Sequence, residues 1–170
     1  MRTRHKQHVI RARHTRGISL IEALIGLGIL VTVLVGLVVS FQVFFRVSLT
    51  NTEKIQGAFL LEEGIEIVRF LRDESWSTHI ATVTVNTDYY PTFSGSTWTL
   101  TTTPTTTNSF TRKVTLHDVF RRDSDSVIVA STSPDTKTLD VNTKFVTVMV
   151  ITPRAAEMEL STYITNLFAN

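Results

Sequence analysis

Hydrophobic and polar positions divide the chain into three regimes. Between Ala23 and Phe45 lie 23 residues without a charged side chain. At ~1.5 Å per helical residue this run is about 34 Å long, enough to cross a hydrocarbon core of ~30 Å, and it predicts a membrane-spanning helix. Past Arg46 the pattern becomes amphipathic. Ile55, Phe59, Leu61, Ile65, Val68 and Leu71 recur at helical spacing, while Glu53, Lys54, Glu62, Glu63, Glu66, Arg69, Arg72 and Asp73 occupy much of the remainder. No proline occurs before Pro91, so one helix is expected from about residue 18 to 72. Gly57 and Gly64 cost this helix ~1 kcal/mol each relative to alanine, so its second half needs packing support.

From Ser77 onward the composition shifts to Thr, Ser, Val and aromatics, with turn residues between runs of β-branched side chains. Strands are expected near 79–86, 97–103, 110–121, 126–131, 137–141, 144–152 and 156–166. Four or five of them would pair into an antiparallel sheet packed on the helix, giving an α+β fold. Val114 to Phe120 and Phe145 to Ile151 carry the clearest strand patterns. Between Thr97 and Thr107 eight of eleven residues are threonine. This stretch has the composition of an exposed, glycosylation-prone loop, but a strand end followed by a polar turn explains it more simply.

Charge sets an orientation. Residues 1–17 hold Arg2, Arg4, Lys6, Arg11, Arg13 and Arg16 and no acid, a formal charge of +6. Removing those six from the chain's 17 bases leaves 11 against 15 acids, so the rest carries −4. Basic flanks stay in the cytoplasm, which places the N-terminus inside and the remainder outside. No Ala-x-Ala cleavage pattern follows the apolar run, and retention of the helix is expected. The mild acidity beyond residue 17 argues against a broad nucleic-acid surface, leaving room only for a local basic patch. The chain has no Cys, which removes disulfides, thiolate nucleophiles and cysteine metal sites.

Gly17 followed by Ile18-Ser19-Leu20-Ile21-Glu22, with a basic leader before and a long apolar helix after, resembles the processing site of type IV prepilins and of type II secretion pseudopilins. The resemblance implies a leader of residues 1–17, cleavage between Gly17 and Ile18 by a membrane prepilin peptidase, and N-methylation of Ile18. It also implies that Glu22, the family's acid at the fifth mature position, meets the new amine of a neighbouring subunit. Ile18 departs from the Phe usual in major pilins, and Val39 stands where many pilins carry a proline. The stretches Leu60–Trp76 and Leu160–Asn166 are similar to the exposed helix half and last strand of PilV-like minor pilins. The implied fold is pilin-like: a helix of about 18–72, its first half transmembrane, on a small antiparallel sheet. The implied regions are a cytoplasmic leader 1–17, a transmembrane or filament-core helix 18–45 and a head 46–170. Implied partners are other pilin subunits, the peptidase, an inner-membrane assembly platform, and membrane lipid before assembly.

Glu22 also has a simpler reading, because a helix spanning from Ala23 leaves it at headgroup level. Gly26, Gly28 and Gly36 allow close helix approach in lipid or in a filament, and glycine is in any case tolerated in membrane helices. No catalytic constellation assembles around His79 or His117, and neither a metal nor a cofactor is expected. His5, His8 and His14 read as part of a solvated leader rather than a metal tract. Asp123, Asp125, Asp135 and Asp140 fall in expected loops and have the chemistry of Ca²⁺ ligands. They lack the glycine turn and terminal bidentate Glu of a calcium loop, so solvated turn aspartates are expected. A non-enzymatic subunit of a pilus is the leading reading. A secretion pseudopilin and an uncleaved, signal-anchored binding protein are the alternatives.

Overall fold

The computed structural model describes residues 19–154 and 156–168. Helix α1 runs without interruption over Leu20–Glu74, 55 residues. It begins where the Ser19 carbonyl accepts the Ala23 N–H at 3.0 Å. It ends because Ser75 turns extended (φ −168°, ψ 110°) and its hydroxyl accepts the Thr78 N–H, starting a single π-helical turn, Trp76–Ile80. The chain divides into two compact units, Met1–Val47 and Ser48–Asn170.

The described part of the first unit is the apolar stretch of α1. Every large apolar side chain from Leu20 to Val47 is at least half exposed. The second unit joins the rest of α1 to seven strands: β1 Asp88–Ser94, β2 Thr97–Thr101, β3 Thr106–Thr107, β4 Phe110–Arg122, β5 Ile128–Val129, β6 Lys137–Ile151 and β7 Glu157–Thr165. All pairings are antiparallel, in the order β2-β1-β4-β6-β7, with β3 and β5 also on β4. The fold is α+β.

One face of α1 meets the sheet at Gly57, Leu61, Gly64, Val68 and Leu71, a four-three-four-three spacing that keeps a single stripe in register with the partner surface. Opposite it, alternate residues of the sheet point inward: Val114 and Leu116 of β4, Val146, Val148 and Val150 of β6, and Ile164 of β7, with Ile80 of the π-turn closing one end. Both glycines stand where the sheet comes closest. A Cβ on Gly64 would lie 2.6 Å from Val148 Cγ1, and one on Gly57 would lie 2.7 Å from Met158 Sδ. Two polar clasps hold the same elements together. Arg112 of β4 reaches Glu63 at 2.6 Å, and Arg154 reaches Glu53 at 3.3 Å and the Thr50 hydroxyl at 2.8 Å.

Several sequence expectations are corrected. Ile55 and Phe59 are 58% and 65% exposed and do not belong to the packed face, which the two glycines occupy instead. Residues 79–86 form no strand. Trp76, Ile80 and Val83 follow a helical four-three spacing, and Ile80 is fully buried. A strand not anticipated, β1, lies across Pro91. This proline pairs with Leu100 of β2 beyond the two residues that pair with β4, so its missing N–H leaves no ladder bond unmade. The β1–β2 hairpin closes through Gly95 and Ser96, both at positive φ (58° and 75°). The expected strands 137–141 and 144–152 are one strand, β6. Its pairing with β4 shifts register between Asp118 and Val119, leaving Val141, Asn142 and Thr143 as the irregular segment. Of the span 126–131 only Ile128–Val129 pairs, and the helix continues to Glu74 rather than residue 72. The threonine-rich span resolves as β2, a turn and the two residues of β3.

The two helix glycines should respond differently to alanine. At Gly64 the new methyl meets Val148, a stiff, fully buried β-branched residue, and overpacking of ~1–3 kcal/mol exceeds the ~1 kcal/mol gained in helix propensity. Gly64→Ala is expected to lose about 1 kcal/mol. At Gly57 the obstacle is the flexible end of Met158, so Gly57→Ala should be neutral or slightly stabilising. Denaturant midpoints of both variants check this, and equal destabilisation by the two would contradict the described packing.

Candidate functional site

Of the residues singled out from the sequence, one lies in the first turn of α1. Gly17 and Ile18 fall outside the described residues. Glu22 is described. With Ser19 at the cap, it takes the third helical position, in the first turn and exposed to solvent. A carboxylate there sits beside the unpaired N–H groups and positive end of the helix dipole, an arrangement typically worth 0.3–1 kcal/mol. The sequence Ser19-Leu20-Ile21-Glu22 has the spacing of a capping box, a local signal that went unread. Glu22 therefore stabilises its own helix start.

Among the described residues one helix is long and apolar enough to cross a membrane, and it lies near the N-terminus. The two hydroxyls of its apolar stretch are satisfied within the helix. Thr32 donates to the Gly28 carbonyl and Ser40 to the Gly36 carbonyl, each at 2.9 Å. The glycines noted for helix approach thus also expose the carbonyls these hydroxyls use.

In the second unit the chemistry-bearing side chains are occupied with one another. His79 Nε2 lies 3.4 Å from a Glu74 carboxylate oxygen, and His117 Nδ1 lies 2.7 Å from Asn86 Oδ1. The two histidines belong to different elements, the π-turn and β4. Of the four aspartates considered for calcium, Asp125 and Asp135 each receive Arg122 at 2.9 Å, and Asp140 receives Arg121 at 2.6 Å. Asp123 accepts the Thr138 hydroxyl at 2.8 Å. Asp140 lies within β6 rather than in a loop. Among the described residues no group of three or more His, Cys, Asp or Glu is gathered closely enough to hold a metal. Two further ion pairs escaped the sequence reading. Asp88 accepts Lys113 and the Thr115 hydroxyl, each at 2.8 Å, which fastens β1 to β4. Asp118 receives the buried Lys144 at the register shift. Their partners are 25 to 27 positions apart, so no local pattern marks them.

Comparisons of the chain with family models, with curated proteins and with solved structures found no match. Function must be read from the residues themselves.

The ion pairs make the second unit sensitive to acid. Hydrogen bonds from Lys113 and Thr115 hold Asp88 below the usual carboxylate range, and those from Ser133 and Arg122 do the same for Asp135. Burial pushes Asp140 up, but Arg121, the Thr143 side chain and the Asn142 N–H together outweigh it and leave it lowered. Each group is more acidic folded than unfolded, so its contribution is complete at neutral pH and is lost as pH falls below about 4. Asp88 and Asp135 are more than 40% exposed and screened by water, whereas Asp140 is 14% exposed and should carry the largest share. The urea midpoint should drop between pH 5 and pH 3. Asp140→Asn should lower the neutral midpoint and flatten that acid dependence; an unchanged slope would contradict the role given to Asp140.

Proposed function

We propose that this chain is a structural subunit of a type IV pilus or closely related filament, of the minor-pilin kind, made as a precursor and trimmed after Gly17. The observation that carries this reading is the juxtaposition of Gly17-Ile18 and Glu22 with an unbroken 55-residue helix whose first half exposes only uncharged, mostly apolar side chains between Ala23 and Phe45. A helix so exposed needs an apolar surround, which lipid supplies first and neighbouring helices supply later. The +6 charge of residues 1–17 against −4 beyond them supports an inside N-terminus and an extracytoplasmic second unit.

In this mechanism the precursor inserts, and a membrane peptidase hydrolyses the Gly17–Ile18 bond. The chain loses its basic segment and gains an amine at Ile18. The shortened helix can then leave the bilayer for a bundle of like helices, where apolar contacts with lipid are exchanged for apolar contacts with protein. Glu22 supplies the direction of that exchange. Its carboxylate attracts a cationic amine on an adjacent subunit, and in a low-dielectric bundle this attraction exceeds the ~0–1 kcal/mol of an exposed ion pair. No catalytic step is assigned to the chain.

Two measurements test the reading. Intact-mass analysis from a host with a prepilin peptidase should give a chain beginning at Ile18, with one added methyl group. Gly17→Leu should remain full length yet still insert, because the span and its flanking charge are unchanged. A wild-type chain that keeps residues 1–17 would favour the signal-anchored alternative. The second measurement concerns Glu22. Glu22→Leu and Glu22→Gln should be trimmed and inserted normally but recovered several-fold less in sheared filaments relative to membranes. Normal incorporation of both would reduce Glu22 to its role at the helix start.

A further inference from the structure

Strand β7 ends the sheet, and nothing among the described residues pairs with its outer edge. Its hydrogen-bonding phase follows from its neighbours. Asn166 N–H donates to the Asn142 carbonyl at 2.8 Å and Thr152 N–H to the Ala156 carbonyl at 2.9 Å, so pairs at even-numbered β7 positions face β6. The backbone N–H and C=O groups of Glu157, Glu159, Ser161, Tyr163 and Thr165 therefore point away from the sheet, along a nine-residue edge of about 30 Å. Exposed edges are ordinarily blunted by charged side chains, Pro or a bulge; β7 has no proline and no bulge, and its only charges are the acids Glu157 and Glu159. The opposite end of the sheet, β2, is only five residues long.

Chemistry along this edge has one sign. Glu157 and Glu159 lie on its solvent face, and Glu62 overlooks it from α1; none of the three forms an ion pair among the described residues. A groove of about 330 Å³ runs between α1 and β7, lined by Glu62, Ile65, Glu66, Arg69 and Leu160 among others, with Leu160 39% exposed. Arg69, the cation on the groove, is already engaged by Glu66 at 2.6 Å.

We infer that β7 is a docking edge for an extended, basic peptide segment of another protein, added to the sheet as a further strand. Main-chain hydrogen bonds to the five outward residues hold the segment, and the pleat sorts its side chains. Alternate positions on the outer face lie beside Glu157 and Glu159 and take Lys or Arg. The intervening positions face α1 and take small apolar side chains against Leu160. A second copy of this chain fits less well, since antiparallel pairing about Ser161 would set Glu157 opposite Thr165 and Glu159 opposite Tyr163 and give neither acid a cation.

The probe is an end-blocked peptide, Val-Lys-Val-Lys-Val-Lys-Val, titrated calorimetrically into the full chain in uncharged detergent micelles, with empty micelles subtracted. Saturable one-to-one binding that weakens with salt is expected, and none with the Glu-for-Lys peptide. Ser161→Pro removes an outward N–H while leaving the β6 ladder intact, and should weaken binding at least ten-fold. Glu157→Gln and Glu159→Gln, which leave the backbone edge untouched, should each weaken it about three-fold, and they decide the matter should the proline variant not fold. The inference is overturned by absence of binding to the wild-type chain, by equal binding of the acidic peptide, or by insensitivity to these substitutions. A wild-type dimer that Ser161→Pro dissolves would also overturn it, by giving the edge to a second copy.

Discussion

The second unit depends on the close approach of α1 to β6 and β7 at Gly57 and Gly64. Where a helix lies this near a sheet, the helix residue at the contact has no room for a side chain, and the sheet residue opposite must fill the space. Val148 does so under Gly64, and Met158 does so under Gly57. With the helix held at that depth, Leu61, Ile65, Val68 and Leu71 reach the valines of β4 and β6, and Ile80 can close the end. The backbone cost of the two glycines is thus the condition for burying everything around them.

Polar contacts sit at the margins of this packing. Arg112 and Arg154 both tie α1 to the sheet near the Thr111–Ile151 end of the β4–β6 pairing, and Asp88 and Asp140 secure strands whose own ladders are short or irregular. In each pair one partner stays at least 40% exposed, which limits the desolvation cost that a central ion pair would carry. The basic side chains of the sheet are largely engaged with acids, while several carboxylates at the β7 edge are not, so the unit presents unbalanced negative charge on one side.

The long helix, its apolar span, the strands β4 and β7 and the Phe145–Ile151 part of β6 were legible because each carries a dominant periodicity and no breaker. What was hidden has identifiable causes. Counting large apolar residues drew Ile55 and Phe59 into the packed stripe, whereas the stripe is completed by glycines, which hydrophobicity does not mark. Pro91 disguised β1, because its tolerance depends on which neighbour the missing N–H would have faced, a fact of topology. At the helix start, Ser19 and Glu22 could be read locally as cap and third position. The partners of Asp88, Asp118 and Asp140 could not, since pairing across strands is set by register.

Thr32 and Ser40 give the apolar stretch of α1 one more property. An unbonded hydroxyl in hydrocarbon is penalised by several kcal/mol and would tether a helix to whatever surface offered an acceptor. Here both hydroxyls spend their protons on carbonyls one turn back. The helix carries its own solvation, so moving it between two apolar surroundings breaks no side-chain hydrogen bond at these positions. Its preference among such surroundings is then a matter of fit at the open notches that Gly28 and Gly36 leave on its surface.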